Sequence, residues 1–292
     1  MMAGFIHWNP DPVMFHLGNL PVRWYSVLFG VGFIAGYIFA RIMFHKEKVE
    51  RHILETYGIW LIIGVLVGGR LGHCLFYEFD YYIRHPLEII KPWEGTLGKD
   101  AVFTGFHGFS SHGWVVGLLF TLWLNSRLTK TPVLWALDIF AVVIVLAGAF
   151  VRLGNLMNSE IIGIPTTVPW AFVFEQVDQW PRHPAQLYEA VAYLGTFIVM
   201  FLVHRRRLHT LPNGTYMGWV FIAVFVSRFL IEFLKEDQVP TEAGMVLNLG
   251  QWLSIPFILL GIFFAFRGQL SRLLFNRTIT GKVPQSNFSQ PE

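Results

Sequence analysis

The sequence predicts an all-α polytopic membrane protein of about seven transmembrane helices, with its N-terminus outside and its C-terminus in the cytoplasm. Three observations carry that expectation. Of 292 residues, 54% are hydrophobic and only 14% charged, a balance too apolar for an ordinary soluble globule. Seven apolar runs approach the ~20 residues that a helix needs to cross a bilayer. Lysines and arginines concentrate in alternate links between those runs, as cytoplasmic loops require.

The expected spans are Trp24–Met43, Ile53–Phe76, His112–Ser126, Pro132–Met157, Ala185–His204, Gly214–Leu234 and Asn248–Phe266, the third being short. Helices are the default, because backbone polar groups in lipid must be satisfied within the segment and runs this long do not suit barrel strands. The link after the first span carries Lys46, Lys48 and Arg51; later links on the same side carry Arg127, Lys130, Arg205, Arg206 and Arg207, and the tail adds Arg267, Arg272, Arg277 and Lys282. The opposite loops are longer and carry acids, among them Glu78, Asp80, Glu88, Glu94, Asp100, Glu175, Asp178, Glu236, Asp237 and Glu242. Those around 77–111 and 159–184 are too long for simple turns and are expected to be folded or functional. Residues 1–275 read as a single integral-membrane domain and 276–292 as a polar, disordered tail.

The formal charge of +3 gives no footprint for nucleic acid. With Cys74 as the sole cysteine, no disulfide can form within the chain. The first basic residue is Arg23, so no basic stretch precedes the first apolar run, which is expected to serve as its own insertion signal. No HExxH or GxSxG is present, and no metal or cofactor is expected.

On this topology the intramembrane polar residues converge at one depth, near the outer leaflet. Trp24 and Tyr25 open the first span; Arg70, His73 and Tyr77 end the second; His112 opens the third. Arg152, Asn155 and Asn158 end the fourth, Gln186, Tyr188 and Glu189 open the fifth, Arg228 and Glu232 end the sixth, and Gln251 opens the seventh. Asp138 alone sits toward the inner side, where it can serve as a cap. Intramembrane charges are costly and face a bundle interior or a wet cavity. Arginine cannot shed its proton, so three arginines against two glutamates suit a phosphate, which a guanidinium grips bidentately. Arg152 and Asn155 share a helix face by their spacing, and Arg228 and Glu232 are spaced to pair. A single arginine at a helix end also fits snorkelling to headgroups; three at a common depth, with Asn, Gln and Glu beside them, favour a site. Cys74 on an apolar helix reads as a small core residue, and His73 as a packed or interfacial one.

These motifs resemble the prolipoprotein diacylglyceryl transferase family over nearly the whole length. The residues that carry the resemblance are Trp24–Tyr25, GGRLG at Gly68–Gly72, SHG at Ser111–Gly113, RLGNLMNSEIIG at Arg152–Gly163, RHPAQLYE at Arg182–Glu189, SRFLIEF at Ser227–Phe233 and GQWLSIP at Gly250–Pro256. Trp114 stands where the family often has Gly, Arg23 where many members have His, and Val224 where some have Tyr.

The resemblance implies a seven-helix fold of the bacterial inner membrane with its site toward the outer leaflet. The implied partners are phosphatidylglycerol, the lipobox cysteine of prolipoproteins and membrane lipids, with no nucleic acid. The implied reaction moves the diacylglyceryl group onto the cysteine thiol, leaving a thioether and glycerol 1-phosphate. Because the nucleophile belongs to the substrate, Cys74 is dispensable. A thiol must lose its proton to attack, and His112 is the candidate base, with headgroup orientation or helix capping as its alternative role. Arg152 and Arg228 are expected to stabilise the leaving phosphate. Asn155, Asn158 and Glu160 are expected to hold the glycerol headgroup or to position Arg152, with Gly163 on the same side; Tyr25, Gln186, Tyr188 and Gln251 are expected to line the pocket, and Glu189 and Glu232 to brace arginines, with Arg70 beside them or structural. A transporter or flippase for an anionic lipid or small phosphate compound is the rival reading, but it would favour repeats and midplane charges.

Overall fold

The structure is a computed structural model and describes residues 4–18, 20–91, 93–94, 102–103, 108, 110–206, 211–237 and 244–275. The expected tail at 276–292 lies outside the described residues, as do Arg207, Arg277, Lys282, Asp100 and Glu242 of the charge pattern. Among the described residues, six helices are long and apolar enough to cross a membrane: α1 (Trp24–Lys46), α2 (Arg51–Phe76), α5 (Val133–Met157), α6 (Ala185–Arg206), α7 (Thr215–Glu232) and most of α8 (Leu249–Phe275). Between α2 and α5 come a short α3 (Phe79–Tyr82) and then α4 (Ser111–Thr129), which holds His112, Asn125 and Arg127 within its 19 residues. With α4 as the short seventh span, the chain is a multi-pass, mostly helical membrane protein. Large apolar side chains such as Ile34, Leu66, Val116, Val191 and Leu259 are left exposed on the helices, which lipid tolerates and water does not.

The described residues group into two compact units. One comprises the chain to Lys48 and from Leu137 onward; the other runs from Val49 to Ala136.

The 49–136 unit is built on a close approach of α2 and α4. Gly64, Gly68 and Gly72 recur every fourth residue and face Gly113, Gly117 and Thr121. A Cβ at Gly117 would lie 2.0 Å from the carbonyl oxygen of Gly64, and one at Gly68 2.4 Å from that of Gly113. Small residues at this repeat let two backbones touch, and in lipid that packing is the main force available. Ser110 caps α4 by accepting from the Gly113 N–H at 3.3 Å. Arg70 donates to the carbonyls of Ile89 (3.0 Å) and Glu88 (2.8 Å), pinning a 3-10 turn at Pro86–Ile89, and its guanidinium lies over the Tyr82 ring.

In the other unit α7 and α8 pack through Gly218 and Gly261; a Cβ on Gly218 would meet the Ala265 nitrogen at 2.5 Å. The buried carboxylate of Asp138 accepts from the N–H groups of Gly214 (2.6 Å) and Met217 (2.8 Å), so it caps the start of α7.

Short strands add to the helical plan. β1 (Ile6–Trp8) pairs in parallel with β6 (Phe172–Phe174), which pairs antiparallel with β7 (Pro181–Arg182). Phe172 and Phe174 pack with Leu156 and Ile162, and the Trp8 indole donates to the Leu156 carbonyl at 2.9 Å. The 159–184 loop and the N-terminal strand thus form a folded cap on the end of α5. A hairpin of β2 (Val13–Leu17) and β3 (Leu20–Arg23) leads into α1, and β4 (Trp93–Glu94) pairs with β5 (Val102–Phe103) in the other unit.

Candidate functional site

Arg152 lies in the last turns of α5, where the helix leaves its apolar run. Its Nε stands 2.8 Å from a carboxylate oxygen of Glu189, one turn into α6, and Glu189 is fully buried. The approach is off the N–H direction, so this is a charge contact rather than a linear hydrogen bond. The other Glu189 oxygen accepts from Lys235 Nζ at 2.9 Å, and Lys235 reaches Glu232 at 2.9 Å as well. Arg152, Glu189, Lys235 and Glu232 therefore form an alternating chain of two cations and two anions, all largely removed from water. Burying four charges is tolerated because each has an opposite neighbour; removing one partner of such a pair typically costs about 3–5 kcal/mol.

A second line of contacts runs from the same arginine. Arg152 Nη1 donates to Asn155 Oδ1 at 3.2 Å, Asn155 Nδ2 donates to Glu160 Oε2 at 3.1 Å, and Asn158 Nδ2 donates to Glu160 Oε1 at 3.1 Å. Gln186 Nε2 donates to the Glu160 carbonyl. The backbone that presents Glu160 is strained, since Ser159 (φ 54) and Ile161 (φ 57) on either side are both left-handed. For a β-branched isoleucine that conformation is an outlier, and such outliers concentrate where geometry is held for a purpose.

Arg228, on α7, differs from Arg152. Its Nε is buried and has no hydrogen-bond partner among the described residues. The expected pairing with Glu232 is not made, because Glu232 is engaged by Lys235 one turn later. Tyr193 lies within electrostatic reach of both Arg152 and Arg228, and the Tyr25 phenol within reach of Arg152 and Glu160. The Tyr25 ring packs on Gly154, where a Cβ would come within 2.8 Å of it.

Other expected site residues hold the frame. Gln251 and Asn248 exchange side-chain to backbone bonds (2.9 and 3.1 Å) as a capping box at the start of α8, and Gln251 also donates to the Phe229 carbonyl. Gly163 sits against the backbone oxygens of His183 and Leu234, leaving no room for a Cβ (2.5 and 2.6 Å). Tyr188 accepts from the Trp170 indole at 2.8 Å and contacts His183 at 3.1 Å. Arg182, beneath this loop, bonds Asp178 and the Gly163 carbonyl. That hydrogen bond holds the Asp178 carboxyl below the usual carboxylate range, and burial holds the His183 imidazole below its ordinary value.

His112 and Arg70 belong to the 49–136 unit. His112 is exposed in the first turn of α4, and Arg70 is taken up by the 3-10 turn. Lys235 and Tyr193 are the participants that sequence reasoning missed. Lys235 follows directly on the EFL that ends the sixth apolar run, and Tyr193 is one aromatic among many in the fifth.

Long apolar helices with exposed apolar flanks and a buried charge network around Arg152 define a multi-pass membrane protein, not a soluble domain. The family model for prolipoprotein diacylglyceryl transferase matches residues 12–267. A phosphatidylglycerol–prolipoprotein diacylglyceryl transferase of Bacteroides fragilis is 45% identical over 261 residues, covering 89% of this chain and 94% of that protein. Transferases of the same name from Tolumonas auensis and Chloroherpeton thalassium are each 40% identical, over 88% and 91% of this chain and 95% of each relative. The chain belongs to the prolipoprotein diacylglyceryl transferase family.

Proposed function

We propose that this chain transfers the sn-1,2-diacylglyceryl group of phosphatidylglycerol to the lipobox cysteine thiol of prolipoproteins. The observation that carries the chemistry is the contrast between the two arginines of the larger unit. Arg152 is clamped by Glu189 and Asn155, whereas Arg228 keeps a buried Nε unspent beside Tyr193. A buried donor without a partner is costly unless a ligand takes it up, and a phosphate oxygen matches it in charge and geometry.

In the reaction the substrate sulfur attacks C3 of the diacylglyceryl group. The bond from C3 to the phosphate oxygen breaks, and the electron pair leaves with glycerol 1-phosphate. The thiol proton passes to His112, the general base at the start of α4. Arg228 and Arg152 meet the charge that grows on the departing phosphate; fixed cations in a site poor in water do this without reorganising. Glu189, Lys235 and Glu232 act as positioning residues that hold Arg152. Asn155, Asn158 and Glu160 present the polar edge to the glycerol headgroup, with Tyr25, Gln186 and Tyr188 around it. Gly163, Gln251 and Arg70 keep the loops and helix ends in place. In this reading residues 1–275 act as one domain of the inner membrane, with the N-terminus outside, the C-terminus cytoplasmic and the site toward the outer leaflet; the lysine and arginine distribution supports that orientation.

The test is release of glycerol phosphate by purified protein from phosphatidylglycerol micelles. Release is expected only when a lipobox thiol peptide is present; release without any thiol, or none with it, would overturn the reading.

A further inference from the structure

At the far end of α6 from Glu189 lies a second basic site that the transfer reaction does not use. Sixteen residues separate Glu189 from Arg205, which is roughly 24 Å along the helix, close to the thickness of the hydrocarbon layer. There the ends of α1 and α6 enclose a groove of about 750 Å³. Phe39 and Phe201 line it together with Lys46, Lys48, His45 and Arg205. The Arg205 guanidinium lies over the Phe201 ring, and Lys46 Nζ donates to the Arg205 carbonyl, so both cations are held at the mouth.

Two observations say that this charge is not simply a solvated helix end. Lys46, Lys48 and Arg205 make no ion pair among the described residues, and the acid between the two lysines, Glu47, turns into the core to meet His204 at 2.6 Å. Lys48 adopts φ 56, the left-handed turn position after a helix that glycine fills most easily. A lysine there accepts backbone strain and supplies a cation.

We propose that this groove binds the phosphate headgroup of an anionic membrane lipid, with an acyl chain along Phe39 and Phe201. Three cations without an ion pair among the described residues, over an aromatic floor and at a bilayer boundary, complement an anionic lipid and not a zwitterionic one. The site is separate from the candidate transfer site and does not rest on the proposed reaction.

Native mass spectrometry of the full-length protein, titrated with dioleoylphosphatidic acid, tests this. A K46Q/K48Q/R205Q variant is expected to retain one lipid fewer than wild type, while Arg228→Ala keeps that lipid. The affinity loss is on the order of fivefold for each cation removed and roughly a hundredfold for all three. Transfer activity of the triple variant is expected to persist. Unchanged retention in the triple variant would overturn the proposal, as would a loss confined to Arg228→Ala. Equal retention of dioleoylphosphatidylcholine would also overturn it, and displacement by millimolar inorganic phosphate would assign the site to a free anion instead. Lys48→Gly keeps the test valid if the triple variant folds poorly. It relieves the left-handed strain, so the protein is expected to melt no lower yet to hold the lipid about fivefold more weakly; unchanged binding in that variant contradicts the assignment.

Discussion

Glu189 divides its buried carboxylate between two cations, Arg152 at 2.8 Å on one oxygen and Lys235 at 2.9 Å on the other. Neither cation lies on the same helix as Glu189, so one side chain fixes the end of α5 and the segment after α7 onto α6. Glu189→Gln keeps the shape but removes the charge, leaving two buried cations short of an anion. It is expected to destabilise the protein by about 3–5 kcal/mol, read as a lower melting temperature in detergent. A melting temperature equal to wild type would mean that the network carries no structural load.

Arg228 is expected to behave differently, because its Nε has no hydrogen-bond partner among the described residues. Arg228→Ala should lower kcat by roughly 10²–10³ with the fold intact. Measuring kcat and KM separately decides its role: a loss confined to KM would make Arg228 a binding residue for ground-state phosphatidylglycerol only.

Cys74 is 1% exposed on α2, and with the nucleophile supplied by the peptide it is expected to have no chemical duty. Cys74→Ala is expected to leave turnover within about twofold, with only a small loss of packing stability of the kind that truncating a buried side chain brings. An inactive variant would reveal a covalent step on the enzyme.

The segment that bears Asp178 and His183 is expected to carry a pH dependence. Arg182 holds Asp178 below its ordinary value of 3.8, so the stability from this pair is complete above that value and is lost as pH falls through the lowered one. His183 is also lowered, from 6.5, by burial; below 6.5 the unfolded chain takes the proton first, and stability falls as the pH drops. Thermal melts of Asp178→Asn and His183→Gln across pH 3–8 should therefore each show a shallower acid-side decline than wild type. Unchanged slopes would remove these two groups from the account.

The spans were legible because lipid demands long apolar runs, and the expected Pro132–Met157 and Ala185–His204 agree with α5 and α6 to within two residues. Helices run past the apolar stretch where basic residues follow, as at His45–Lys46 and Arg205–Arg206, since long cations reach out of the bilayer while the backbone stays helical. Strands of two or three residues such as β1 and β7 carry no readable period, and Ile6 pairs with Phe172 across more than half the chain. In the site, charges inside apolar runs announced Arg152, Glu189, Arg228 and Glu232. Their pairing was not readable: the spacing of Arg228 and Glu232 permits a contact, but Lys235, three residues beyond Glu232, takes it. Nor did Gln251 announce that it caps a helix, because a glutamine at a span's start looks the same whether it faces a ligand or its own backbone.

Mass spectrometry of the peptide product tests the thioether-forming transfer most directly. Purified protein incubated with phosphatidylglycerol and a lipobox peptide should add one diacylglyceryl group, located on the cysteine sulfur, and add nothing to the same peptide with serine in that place. An unmodified cysteine peptide, or a group carried equally by the serine peptide, would contradict it.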